Sequence, residues 1–82
     1  MKQIEKFLKQ LHDAEFGNEE EEIEENPKEV VKLLKRAYKW KTYDKLYEVC
    51  VYLGAESDDR ADSIEGCKEI INEDIEYRKA EI

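Results

Sequence analysis

The chain is 82 residues long, 44% charged and 40% hydrophobic, with a formal net charge of -8. A chain this short buries only about 60 to 65% of the surface its unfolded form exposes, which leaves no room for a large enclosed active site. It is too apolar for a disordered tail and too polar for a membrane protein, and MKQIEKFLKQ is an amphipathic pattern rather than a signal peptide, so the expectation is one cytoplasmic helical domain over residues 1–82.

Helix one is predicted over residues 2–16, where Ile4, Phe7, Leu8, Leu11 and Ala14 or Glu15 recur at the i, i+3, i+4, i+7 spacing of a single face. Lys2, Lys6 and Lys9 take the solvent side, and Gly17 stands where a helix end favours a left-handed residue. His12 lies just off the apolar face. It is the chain's only histidine, and no cysteine or carboxylate stands at a ligand spacing from it, so it reads as a boundary side chain.

The next stretch, Asn18 to Glu25 (NEEEEIEE), opens on a good N-cap residue followed by glutamates that complement a helix dipole. One reading is a short acidic helix over 19–25. The other is a mobile acidic loop anchored only by Ile23, because the glutamates repel one another.

Helix two, 27–40, has the clearest start: Asn26 as cap, Pro27 where a missing N–H costs nothing, and Glu29 placed to reach back. Val30, Leu33, Leu34, Ala37 and Lys41 cluster on its wheel, with Val31 and Tyr38 on one shoulder and Trp40 on the other. Lys28, Lys32, Lys35, Arg36 and Lys39 fill the remaining arc. Thr42 then caps helix three, 43–53, which ends at Gly54. Leu46, Val49, Cys50 and Leu53 face inward, Tyr43 and Tyr47 extend that face, and Val51 and Tyr52 point elsewhere. The pair from Asn26 to Gly54 therefore forms the centre that the other helices cover.

The last helix is predicted over 58–80, capped by Ser57 or Asp58 and acidic in its first turn through Asp58, Asp59 and Asp62. Ile64, Cys67, Ile71, Ile75, Arg78 and Ile82 fall along one line, with Ile70 and Tyr77 on its flank. At roughly 33 Å it outruns its neighbours, so Ile75, Tyr77 and Ile82 are expected to overhang the bundle. Gly66 inside it costs up to about 1 kcal/mol relative to alanine and points to close packing. The fold class is an all-α bundle of four main helices. Cys50 and Cys67 both fall on apolar faces and read as reduced core thiols.

No glycine-rich phosphate loop, CxxC pair, HExxH or nucleophile elbow is present. The carboxylate pairs Glu65 with Glu69 and Glu69 with Glu73 lack the Glu-x-x-His partners of a di-iron bundle. The expectation is a non-enzyme with no metal and no cofactor.

Function is then sought in the charge, which is segregated along the chain. Asp13, Glu15, Glu19, Glu20, Glu21, Glu22, Glu24 and Glu25 form an acidic arm with no base among them; Lys28 to Lys45 is basic; the remainder is acidic again. The leading expectation is a protein-interaction module, an inhibitor or adaptor whose first arm, with Asp58, Asp59 and Asp62, occupies a basic surface of a partner such as a nucleic-acid-binding protein. Phage-encoded nuclease inhibitors and immunity-type inhibitors belong to this functional class. One alternative is a structural homo-oligomer, a homodimer for instance, joined through Val51, Tyr52, Tyr77 and Ile82. A second is direct nucleic-acid contact through Lys32, Lys35, Arg36, Lys39, Trp40 and Lys41, which the overall charge disfavours. The bases of helix two also have acidic segments on either side with which to pair inside the chain.

Overall fold

Asn26 starts the central helix through its side chain: its oxygen accepts the Glu29 N–H at 3.2 Å, and Pro27 follows in the first turn. In the computed structural model, which describes the backbone of residues 2–82 and the side chains from residue 4 onward, this helix is α2, Pro27–Tyr38. The expected solvent placement of Lys2 lies outside the described side chains. The other long elements are α1 (Lys2–Phe16), α3 (Tyr43–Tyr52) and α4 (Ile64–Glu81), giving a small all-α bundle. No helix among the described residues is long and apolar enough to cross a membrane.

Val30, Val31, Leu33, Leu34 and Ala37 of α2 are all buried, so this helix turns far more than a narrow stripe to the interior. It packs between α1 and α4, and α3 closes the bundle against α4. Each helix gives the core at least one fully buried large residue: Leu11, Leu34, Leu46 and Ile71 are all at 0% exposure. Such close packing makes the loss of any one of them expensive.

Helix ends follow local chemistry. α2 stops at Tyr38 rather than residue 40, because Trp40 N–H turns back to the Ala37 carbonyl at 3.0 Å. That closing turn swings the indole against Phe7, edge to face at 4.6 Å between ring centres. Thr42 occupies the N-cap of α3, but its hydroxyl makes no capping bond. Gly54, at φ 80°, ends α3 with paired bonds from Gly54 N–H to the Val51 carbonyl and from Ala55 N–H to the Cys50 carbonyl.

The last helix departs most from expectation. Instead of starting at residue 58, the chain makes a 3-10 turn over Asp59–Asp62, capped by Asp58, and α4 begins at Ile64 with Ser63 as its cap. Ser63 is extended, and its Oγ accepts the Gly66 N–H at 3.0 Å. The 3-10 turn folds back over the new helix, burying Ala61. Removing this cap, Ser63→Ala, is expected to cost about 1 kcal/mol of stability in a denaturant titration.

Arg60 clamps the turn to α4. Its guanidinium reaches Asp58 at 3.0 Å, Glu69 at 3.3 Å and also Glu73. It holds the Asp58 and Glu73 carboxyls below their usual range, chiefly by hydrogen bonding. A depressed folded pKa means stability that is present above the unfolded carboxylate range and lost as the pH falls below that range and through the lower folded values.

Cys50 and Cys67 are free and buried. The Cys67 thiol donates to the Ala61 carbonyl at 3.4 Å, and the Cys50 thiol points to the Cys67 carbonyl at 3.7 Å. Burial, with the neighbouring thiol, pushes Cys50 up to about 12. The native thiol thus keeps its proton where the unfolded one, at about 8.5, has lost it, so stability is full below about pH 8 and falls as pH rises. A thiol reagent at pH 8 is expected to leave native Cys50 unlabelled and to modify it once denaturant unfolds the chain.

Candidate protein-interaction surface

The acidic stretch after α1 is not a helix but a turn closed by hydrogen bonds. Gly17, at φ 78°, ends α1 with its N–H on the Asp13 carbonyl at 2.7 Å. Asn18 and Ile23 then exchange both backbone hydrogen bonds, at 2.8 and 2.9 Å, closing a tight turn around Glu19 to Glu22. Inside it, the Asn18 side-chain oxygen accepts the N–H groups of Glu20 and Glu21 at 3.0 and 3.3 Å, and Glu22 takes the left-handed conformation at φ 55°. Asn26 N–H reaches back to the Ala14 carbonyl at 2.7 Å, tying the far end of the segment to α1.

One glutamate of the turn is neutralised by a lysine of α1. Lys9 reaches Glu21 at 2.8 Å and Asp13 at 3.1 Å, and the Asn18 amide donates to Glu21 at 3.2 Å. These two carboxylates raise the Lys9 pKa, as they must if its charge holds them together. Asp13 is buried, and Glu21 is occupied with Lys9. Glu15 is likewise engaged internally, accepting from Tyr52 Oη at 2.6 Å and from Arg78 at 3.1 Å. Of the first acidic arm, Glu19, Glu20, Glu22, Glu24 and Glu25 remain exposed, with no ion-pair partner among the described residues.

Two large apolar side chains flank these carboxylates. Phe16 is 61% exposed and Ile23 is 37% exposed, and both line an open recess with Gly17, Asn18, Glu19 and Glu24. His12, itself exposed, tilts against the Phe16 ring with ring centres 4.9 Å apart. The turn thus presents negative charge and apolar area on one fixed scaffold.

The second acidic segment is separate. Asp58 is held by Arg60, while Asp59 and Asp62 are exposed beside Glu56 and the half-buried Tyr43 and Tyr47. The apolar set proposed for self-association is divided between environments. Val51 and Tyr52 are half-buried, with the Tyr52 hydroxyl tied to Glu15, whereas Tyr77 and Ile82 are 69% and 53% exposed. Ile75 does not overhang. It is 3% exposed, because α4 remains packed as far as that residue.

The basic face of α2 carries the clearest surprise. Among the described residues, Lys9, Arg60, Arg78 and Lys79 are held in ion pairs, whereas none of Lys28, Lys32, Lys35, Arg36, Lys39 or Lys41 has such a partner. The acidic segments on either side therefore do not neutralise it inside the chain. Two of the neighbouring aromatics are committed internally: Trp40 to Phe7, and Tyr43 to Tyr47 at 5.8 Å with its hydroxyl donating to the Ala61 carbonyl at 2.8 Å. Base stacking needs free ring faces, and of the aromatics beside these cations Tyr38, 41% exposed with Lys68 over its ring at 5.6 Å, is the one that keeps accessible area.

No group of three or more His, Cys, Asp or Glu among the described residues could hold a metal ion. Compared with protein-family models, curated proteins and solved structures, the chain has no match.

Sequence reasoning passed over Lys9, Asn18 as the turn's organiser, and Phe16 as part of the surface. Asn18 followed by two residues whose N–H groups it can accept was a readable turn signal. The link from Lys9 to Glu21 crosses from the helix into the turn and leaves no local trace.

Proposed function

We infer that this chain is a cytoplasmic protein-interaction module, an inhibitor or adaptor of the phage or immunity type. Its turn Phe16–Glu25 docks on a basic surface of a partner, with a nucleic-acid-binding protein as the fitting class. The observation that carries this reading is the division of labour among the acids: Asp13 and Glu21 hold the turn in shape, while Glu19, Glu20, Glu22, Glu24 and Glu25 stand exposed beside Phe16 and Ile23. Fixed carboxylates avoid part of the ordering cost of binding, and exposed aromatic and branched side chains supply the desolvated anchors that charge alone does not. A nucleic-acid-binding partner fits because its phosphate-binding cations are what such a row of carboxylates meets.

The test is comparative affinity capture from the cell of origin, with the native chain and a Glu19→Lys, Glu20→Lys, Glu24→Lys, Glu25→Lys variant as baits. The reading expects a basic partner held by the first and released by the second, and held less well at high salt. Identical captured proteins from both baits would refute it.

A further inference from the structure

The fold leaves the basic face of α2 without a partner. Lys28, Lys32, Lys35 and Lys39 recur at the i, i+4, i+7, i+11 spacing that puts them on one side of the helix, with Arg36 beside them, and all five are exposed. The row runs roughly 16 Å along the helix at 1.5 Å per residue. None of the five has an ion-pair partner among the described residues, and Glu29 is the helix's one acid.

The acidic turn has the opposite lack. Glu19, Glu20, Glu22, Glu24 and Glu25 are exposed with no ion-pair partner among the described residues, beside the exposed Phe16 and Ile23. These carboxylates cannot settle on the α2 row of their own chain. The bonds exchanged by Asn18 and Ile23, and that from Asn26 N–H to the Ala14 carbonyl at 2.7 Å, hold the turn against the end of α1. Only Asn26 separates Glu25 from the start of α2, too short a tether to fold back along the helix.

We propose that the basic face of α2 is the docking site for the acidic turn of a second copy of this chain. Charge complementarity carries the assignment, because unpaired carboxylates and unpaired cations stand on two fixed surfaces that can meet only between copies. The methylene stems of the lysines offer apolar surface to Phe16 and Ile23. A nucleic-acid strand fits the face less well. It brings charge along its whole length into the field of a chain whose net charge is -8, whereas a second copy brings its acids to the face locally and carries its cations elsewhere. Turn and face are different surfaces, so the contact is heterologous and need not stop at two copies. This extends the docking reading of the turn, on which it rests, to a basic surface on the chain itself.

Exposed ion pairs bind weakly, with a Kd on the order of 1 mM, so the readout is the weight-average mass of the purified chain in sedimentation equilibrium up to about that concentration. The mass is expected to rise with concentration at physiological salt and to return to that of the monomer in about 1 M salt, where the Debye length is about 3 Å. A Lys28→Glu, Lys32→Glu, Lys35→Glu, Lys39→Glu chain and the Glu19→Lys, Glu20→Lys, Glu24→Lys, Glu25→Lys chain should each associate about tenfold more weakly than the native one. Mixed in equal amounts, the two should recover association, since each presents the charge the other lacks. Four glutamate reversals add two charges each and take the net charge from -8 to zero, so general repulsion alone would make the turn variant associate more strongly than the native chain, not less. Circular dichroism verifies the folds, and Lys→Gln changes at the same four positions replace the reversed face if that chain does not fold. A native chain that stays monomeric at the highest concentration would overturn the proposal, even if an oligonucleotide binds the α2 face. So would a turn variant that associates as well as the native chain. The lysine variant keeps its acidic turn and should still capture the turn's partner, which separates a failure of self-docking from a failure of the docking reading.

Discussion

Gly66→Ala should destabilise the protein by about 3 kcal/mol, against the roughly 1 kcal/mol gain that helix propensity alone promises at a mid-helix glycine. A Cβ on Gly66 would stand 1.7 Å from the Arg60 carbonyl oxygen and 2.6 Å from its carbon, and both are backbone atoms that no side-chain rotation can move. Relief requires the 3-10 turn to lift off α4. That movement would break the hydrogen bonds of Tyr43 and Cys67 to the Ala61 carbonyl and the Arg60 clamp on Glu69 and Glu73. For a domain of this size the loss corresponds to a fall in Tm of about 15 °C. Calorimetric melting of the two proteins decides it, and an alanine variant as stable as the parent would show that the turn does not bear on the helix.

The second large effect concerns binding. For a partner captured by the native chain, reversing Glu19, Glu20, Glu24 and Glu25 together is expected to weaken affinity by about 30- to 1000-fold. Each reversal removes an exposed attraction and adds a repulsion, about 0.5 to 1 kcal/mol apiece, and 1.4 kcal/mol is a factor of ten. Glu21 is left in place deliberately, because its bonds to Lys9 and Asn18 shape the turn, and a loss on mutating it would report folding rather than contact. Equilibrium binding at two salt concentrations measures both the loss and the reduced salt dependence. A shift smaller than threefold would remove the carboxylates from the interface.

What could be read from the chain in advance was whatever is encoded within a few residues. Asn26, Pro27 and Glu29 mark the start of α2, and the 3.6-residue period places Leu11, Leu34, Leu46 and Ile71 on inward faces, where they are fully buried. The 3-10 turn was hidden because Asp58, Asp59 and Asp62 suit the first turn of an α-helix equally well. What separates the two structures is the fit of the Arg60 carbonyl over Gly66, a tertiary contact. The acidic turn was hidden for a similar reason. Its order comes from Lys9, and from Asn26 reaching back to Ala14, neither of which a local pattern of glutamates reveals. Ile75 was expected to overhang because helix length alone says nothing of how far the neighbouring helices reach. The unpaired basic face of α2 follows from geometry too, since neighbours in sequence with opposite charge need not meet in space.

The most direct test of the docking surface is amide hydrogen exchange on the complex with a captured partner, compared with the free chain. The turn reading predicts new protection concentrated over residues 16–25, with the exposed face of α2 unchanged. Protection confined to residues 28–41, or to Val51, Tyr52 and the end of α4, with the turn exchanging as freely as before, would contradict it.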